Sequence, residues 1–211
     1  TFLNERLAAH YGIEGVTGPE FRRVALTTDR RGGVLTQGAV LTVSSYPTRT
    51  SPVIRGKYVL ENVLGLPPPP PPPDVPALEA SADGQIRSMR EQLSMHRSNP
   101  VCASCHNNMD PLGYGLENYD AIGRWRDPRG EFPIDPSRRL PNNGKPFASS
   151  AEMRVLLATH LPEFTRTVTE KLLTYALRRG LESYDMRTVK SVQPAVAADD
   201  YRFRTMVHEV A

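Results

Sequence analysis

The chain has 211 residues, 39% of them hydrophobic and 23% charged, which suits one large or two small globular domains. No apolar stretch is long enough to span a bilayer. The net charge of +3 and pI of about 9.0 leave room for weak attraction to an acidic protein, but there is no dense Lys/Arg block and no nucleic-acid-binding motif.

Residues 1–30 predict a short helix with Phe2, Leu3 and Leu7 on one face, broken by Gly12, Gly15, Gly18 and Pro19. The opening reads as the inside of a helix and has no signal peptide, so the chain is expected to start within a longer protein. From Val34 to Val43 periodicity fits either a buried strand or a helix; Leu35, Ala39 and Val43 at four-residue spacing favour a helix. Ser44 to Pro52 is rich in turn formers, and Val53 to Leu64 resumes a helical pattern ending near Gly65. Twenty prolines are about twice the usual share. Seven of them, Pro67–Pro73, form an uninterrupted run that must be a polyproline II rod roughly 20 Å long. It could dock on an aromatic-lined domain, but a stiff spacer between lobes is the favoured reading.

A helix is expected over 84–97 with Ile86, Met89, Leu93 and His96 on one side, ended by Asn99-Pro100. Asn107–Gly113 reads as a turn, Gly115–Trp125 as a short helix and a loop, and 126–148 as an irregular excursion. Ser149 or Ser150 caps a helix bearing Glu152, Met153, Leu156, Leu157 and His160. Pro162 opens another, with Phe164, Val168, Leu172, Tyr175 and Ala176 as its apolar stripe and Gly180 as its stop. A last helix is expected over 202–210.

Cys102-Ala103-Ser104-Cys105-His106 is a C-x-x-C-H motif, the attachment pattern of a c-type haem. Each thiol can add to one haem vinyl group, and the histidine that follows becomes an axial iron ligand. Both of the chain's cysteines lie in this motif. A thioredoxin-like dithiol would need a βαβ context that the flanks lack. A zinc cage would need two further ligands at suitable spacing, and His10, His96, His160 and His208 are scattered. One covalent haem c is therefore the expected cofactor. Because such haem is attached outside the cytoplasmic membrane in bacteria, the expected location is the periplasm or beyond.

The sixth iron ligand would decide the chemistry. His96, six residues before Cys102, ranks first, because a Ser-Asn-Pro strap could carry it opposite His106. Met186 and Met153 follow, although methionine more often fills core gaps. Met109 sits too close in sequence to His106, while Met206, His208 and His160 have plainer core, surface or helix-end roles. Arg124 and Arg126 could bind haem propionates and Trp125, Tyr114, Tyr119 and Tyr175 could line the ring; core aromatics and surface arginines are the plainer alternative.

Several stretches together resemble the C-terminal part of the large planctomycete-type c-type cytochrome proteins. They are Arg31-Gly32-Gly33-Val34-Leu35-Thr36-Gln37, then 44–57 from Ser44-Ser45-Tyr46-Pro47 to Ile54-Arg55-Gly56-Lys57, then the proline run. His96-Arg97-Ser98-Asn99-Pro100 leading into the C-x-x-C-H motif, Met109-Asp110-Pro111-Leu112-Gly113, 117–126 and 171–177 complete them. The resemblance implies an exported haem protein with further domains before Thr1 and adds weight to His96. It also implies a short extension past the last helix, whose methionine would be another sixth-ligand candidate.

The expected fold is mainly α: a cytochrome c-like helical haem domain over 81–211, preceded by a helical lobe over 1–66 and a polyproline linker over 67–80. The expected function is single-electron transfer, with His106 and His96 as metal ligands and Cys102, Cys105, Arg124 and Trp125 holding the haem. Redox partner proteins, and other subunits of a larger complex, are the expected partners. A peroxidase- or oxygenase-like haem enzyme and a haem-stapled subunit of an envelope assembly are the alternatives.

Overall fold

The computed structural model describes residues 1–71, 88–127, 133–142 and 144–211, with the backbone alone at Met89. The protein is mainly helical. It divides into two compact units, one made of Thr1–Lys57 and Pro68–Arg154, the other of Tyr58–Pro67 and Val155–Ala211. One of the crossings between them, at Pro67–Pro68, falls where the proline run begins. The described prolines, Pro67 to Pro71, lie outside any helix or strand; the rest of the linker and Ile86 lie outside the described residues.

The first unit opens with a two-residue strand, β1 (Phe2–Leu3), paired antiparallel with β2 (Arg22–Arg23). Helix α1 (Glu5–Tyr11) lies between them. This corrects the expectation of one helix from the first residues: Leu3 is buried while Phe2 faces solvent, the alternation of a strand. Asn4 then caps α1, its Oδ1 accepting from the Leu7 N–H at 3.0 Å. Gly12, Gly15 and Gly18, the expected breakers, all take positive φ.

A 3₁₀ turn (Val34–Thr36) leads into α2 (Gly38–Val43). The helical reading holds, but the buried face is Leu35 and Leu41, and Ala39 and Val43 are exposed. Helix α3 (Pro52–Val59) runs into a π-helical turn (Leu60–Leu64) that stops at Gly65, which is left-handed. Helix α4 (Met89–His96) starts with a capping box: the Glu91 N–H donates to Ser88 Oγ at 3.2 Å and the Ser88 N–H donates to Glu91 Oε2 at 2.9 Å.

The largest departure is α5 (Pro100–Tyr114), which continues through the segment read as a turn. Pro111 lacks the N–H that would bond the Asn107 carbonyl, but Asn107 is exposed, so water can take that carbonyl. Packing carries the helix through. A Cβ on Gly56 would stand 1.8 Å from the Met109 carbonyl oxygen, and one on Gly113 would stand 1.7 Å from that of Pro52. Backbones at this separation tolerate only glycine.

After α5 the chain makes turns rather than the expected short helix, closed by a bridge between Tyr119 and Trp125. Arg55, 1% exposed, holds these turns by donating to the carbonyls of Leu116 (2.9 Å), Tyr119 (2.6 Å) and Asp120 (2.6 Å) and to Ser45 Oγ (2.9 Å). Burial, reinforced by Arg126, brings its pKa down to about 10. The excursion that follows contains a small hairpin, β3 (Arg138–Arg139) with β4 (Pro146–Phe147). Helix α6 (Ser150–Leu157) begins as expected, with the Glu152 N–H donating to Ser149 Oγ.

The second unit centres on α7 (Leu161–Leu177), which packs on the π-helical turn, on α8 (Met186–Ala198) and on α9 (Phe203–Val210). Its core joins Val192, Val196 and Met206, with Val168, Leu172, Tyr201 and Val210 packed around them. Two expectations fail here. Tyr175 is 84% exposed and Ala176 is exposed too, so the stripe ends at Leu173. The helix stops at Arg178, itself left-handed at φ 55°, two residues before Gly180. Helix α8 was not foreseen, although Val189, Val192 and Val196 repeat at three and four residues.

Candidate functional site

The site is built on α5. Asn99 starts the helix by accepting from the Val101 N–H at 3.0 Å, and Pro100 supplies the first turn. Cys102 and Cys105, three residues apart, therefore lie one above the other on one helix flank, as free, half-buried thiols. His106 stands four residues after Cys102 and is 9% exposed. One helical turn thus presents both sulfurs and an imidazole.

His106 Nδ1 lies 2.9 Å from Asp110 Oδ1, one further turn along α5. A carboxylate only accepts, so Nδ1 carries a proton, and Nε2 is the nitrogen left to bind a metal. Asp110 is fully buried, and its other oxygen accepts from Arg97 Nη1 at 3.4 Å. The chain Arg97–Asp110–His106 fixes the orientation of the ring and makes Nε2 a better donor to a metal.

His96, at the end of α4, meets His106 edge to face, with ring centroids 4.8 Å apart and planes at 71°. Partial burial and the neighbouring His106 hold its pKa below the ordinary value, which favours the neutral ring. These residues fit a c-type haem in thiol spacing, thiol access and the orientation of the histidine. One dimension differs. Two imidazoles sharing one iron would hold their centroids roughly 6 Å apart, given metal–nitrogen bonds of about 2 Å. His96 would have to withdraw by more than an ångström to serve as the second ligand. Among the described residues no three His, Cys, Asp or Glu side chains converge to hold a bare metal ion.

Further along α5, Tyr114 is completely buried. The guanidinium groups of Arg90 and Arg138 lie over its ring at 4.8 and 4.3 Å, and both pair with Asp135. The Tyr114 hydroxyl has no hydrogen-bond partner among the described residues, and burial, with Asp110 nearby, pushes its pKa up to about 12. Asp110, Arg97, Arg90 and Arg138 were not singled out from the sequence. The four-residue spacing of His106 and Asp110 was the available signal, hidden by reading 107–113 as a turn.

Other candidates fall elsewhere. Trp125 donates its indole N–H to Asp127 at 3.2 Å, meets Tyr119 edge-on at 5.4 Å and lies under Arg30. With Arg124 it lines a cavity shared with residues of α1. Met153 is fully buried beneath Gly115 and beside Phe147, the gap-filling role weighed for it. Met186 is half-buried at the start of α8, and Met109 and Met206 are core residues. His160 faces Glu163 at 3.6 Å and His208 accepts from Arg204 at 3.4 Å.

Comparison with protein families gives two matches. Residues 31–129 match the family described as a protein of unknown function (DUF1588), and residues 143–211 the family described as a protein of unknown function (DUF1585). No curated protein and no solved structure matches the chain. The first match contains the whole of α4 and α5, and the second contains α6 to α9. The chain is thus similar, in succession, to a DUF1588 and a DUF1585 domain, the domains of unknown function found in planctomycete-type cytochrome c proteins.

Proposed function

We propose that this chain is a c-type cytochrome module that carries one haem, bound covalently through Cys102 and Cys105 with His106 as axial ligand, and transfers single electrons. The observation that carries this reading is the geometry of α5. Two accessible thiols stand one turn apart, and the imidazole beside them has Nδ1 tied to a buried carboxylate. The haem would supply an iron that changes charge by one unit without bond rearrangement. Everything else falls to the chain: the thiols fix the ring edge, Asp110 and Arg97 hold His106 in register, and partial burial limits water at the imidazole. His96 is the favoured second ligand because its neutral ring already stands beside His106. The fold would then be cytochrome c-like around α4 and α5, and the location periplasmic or extracellular, with redox proteins or neighbouring subunits as partners.

Mass measurement and the pyridine haemochrome spectrum of the chain, produced with a haem c attachment system, test the reading. One haem of added mass and a c-type band are expected, and both should vanish in Cys102→Ala/Cys105→Ala. A chain that acquires no haem overturns it. A low-spin ferric spectrum that becomes high-spin in His96→Ala would identify the second ligand. A wild-type high-spin spectrum that shifts with cyanide would favour the haem-enzyme alternative.

A further inference from the structure

The first unit contains a cavity of about 730 Å³, within the range of about 300–1,000 Å³ usual for small-molecule sites. It lies between α1, the segment 24–31 and the turn 124–127. Its charged lining is unusual. Arg31 is 8% exposed, yet it forms no ion pair among the described residues. It donates to the carbonyls of Thr36 (2.9 Å) and Gly123 (2.5 Å) and stacks on Tyr11 at 3.8 Å. Asp120 acts on it only through space. A buried cation solvated by dipoles alone favours an anion at the adjacent cavity wall. Arg124, whose guanidinium has no partner among the described residues, lines the same space.

Arg30 stands 3.6 Å from Asp127, so that pair is largely neutral. Among the lining residues Arg31 and Arg124 then face Glu14, which leaves one net positive charge at the wall, Asp120 lying outside the lining. One charge suits a monoanion better than a phosphate dianion. Planar guanidinium forks match a carboxylate, and the Tyr11 and Trp125 rings give the remaining wall an apolar, flat character. We propose that this cavity binds a small organic monocarboxylate with a flat body, held by Arg31 and Arg124 against the wall made by Tyr11 and Trp125. The proposal does not depend on the haem reading, since none of its residues lies on α4 or α5.

Benzoate is the probe and benzamide its neutral isostere. Calorimetry on the purified chain should show saturable benzoate binding, with benzamide roughly tenfold weaker or more. Trp125 is the chain's one tryptophan, so its indole N–H resonance should move with benzoate at the same midpoint. Arg124→Ala should weaken benzoate at least about tenfold, since a charge-assisted hydrogen bond is lost. Arg31→Met could fail to fold because Arg31 also bonds two carbonyls, so the exposed Arg124 carries the test. Absence of heat and shift with benzoate, equal binding of benzamide, an unaffected Arg124→Ala, or tighter binding of inorganic phosphate would each overturn the proposal.

Discussion

In the first unit the largest fully buried side chain is a cation, Arg55, whereas the second unit closes around Val192, Val196 and Met206. The second is ordinary helix packing: α7, α8 and α9 each bury one apolar stripe against the others. The first is short on regular structure between its helices, and buried arginines supplement its apolar contacts by gathering loop carbonyls. Arg55 reaches 61 to 65 residues along the chain to do so, and Arg31 reaches 92. Each is solvated by carbonyl dipoles, an arrangement that is directional and intolerant of change. The turns they hold follow directly on α5, so the helix bearing Cys102, Cys105 and His106 is anchored at its far end by charge–dipole bonds.

That contrast can be broken at several points. Arg55→Leu takes a charged donor from three carbonyls, leaving that of Tyr119 with none among the described residues, and should cost about 3–5 kcal/mol, measured by urea denaturation. A loss below about 1 kcal/mol would mean the clamp is incidental. Gly56→Ala puts a methyl into the Met109 carbonyl and should cost about 1–3 kcal/mol or more, with loss of helical signal as α5 is displaced. In the second unit, Val196→Ala should cost about 1–2 kcal/mol by the same measurement, a graded cavity effect without loss of helix content.

Tyr114→Phe is the smallest effect and has the opposite sign. It removes a buried hydroxyl that has no partner among the described residues and should be neutral or stabilising by up to about 1 kcal/mol. Ionisation gives the same residue a second readout. With its folded pKa raised from 10 to about 12, the unfolded chain releases the proton first. Stability is therefore intact below pH 10 and falls as the pH rises towards 12. Tyr114→Phe should flatten that decline; an unchanged alkaline profile would show that the phenol is not the group responsible.

Legibility in the sequence followed the range of the interactions. Caps are written within four residues, and the one at Ser149 is read from the sequence; Ser88 caps α4 inside the helix expected over 84–97, and Asn99, read as a helix end, starts α5. The Asn-Asn and Pro-containing stretch after His106 misled because local propensity favours a turn there. Its helix is sustained by backbone contact with α3 at Gly56 and Gly113, a long-range fact. The first residues misled for a related reason, since β1 exists only through its pairing with β2 some twenty residues on. The same misreading of 107–113 concealed Asp110, because the spacing of His106 and Asp110 carries meaning only on a helix.

By itself the sequence determined the mainly helical class, the starts of α3, α6, α7 and α9 and the spacing of two thiols and an imidazole, because these depend on neighbours within a turn or two. Tertiary structure alone decided that Arg97 and Asp110 would close on His106 and that His96 would stand beside it. It also decided that two arginines would be buried on carbonyls far along the chain. Those outcomes depend on which surfaces meet when the chain packs, and no local pattern of residues encodes that meeting.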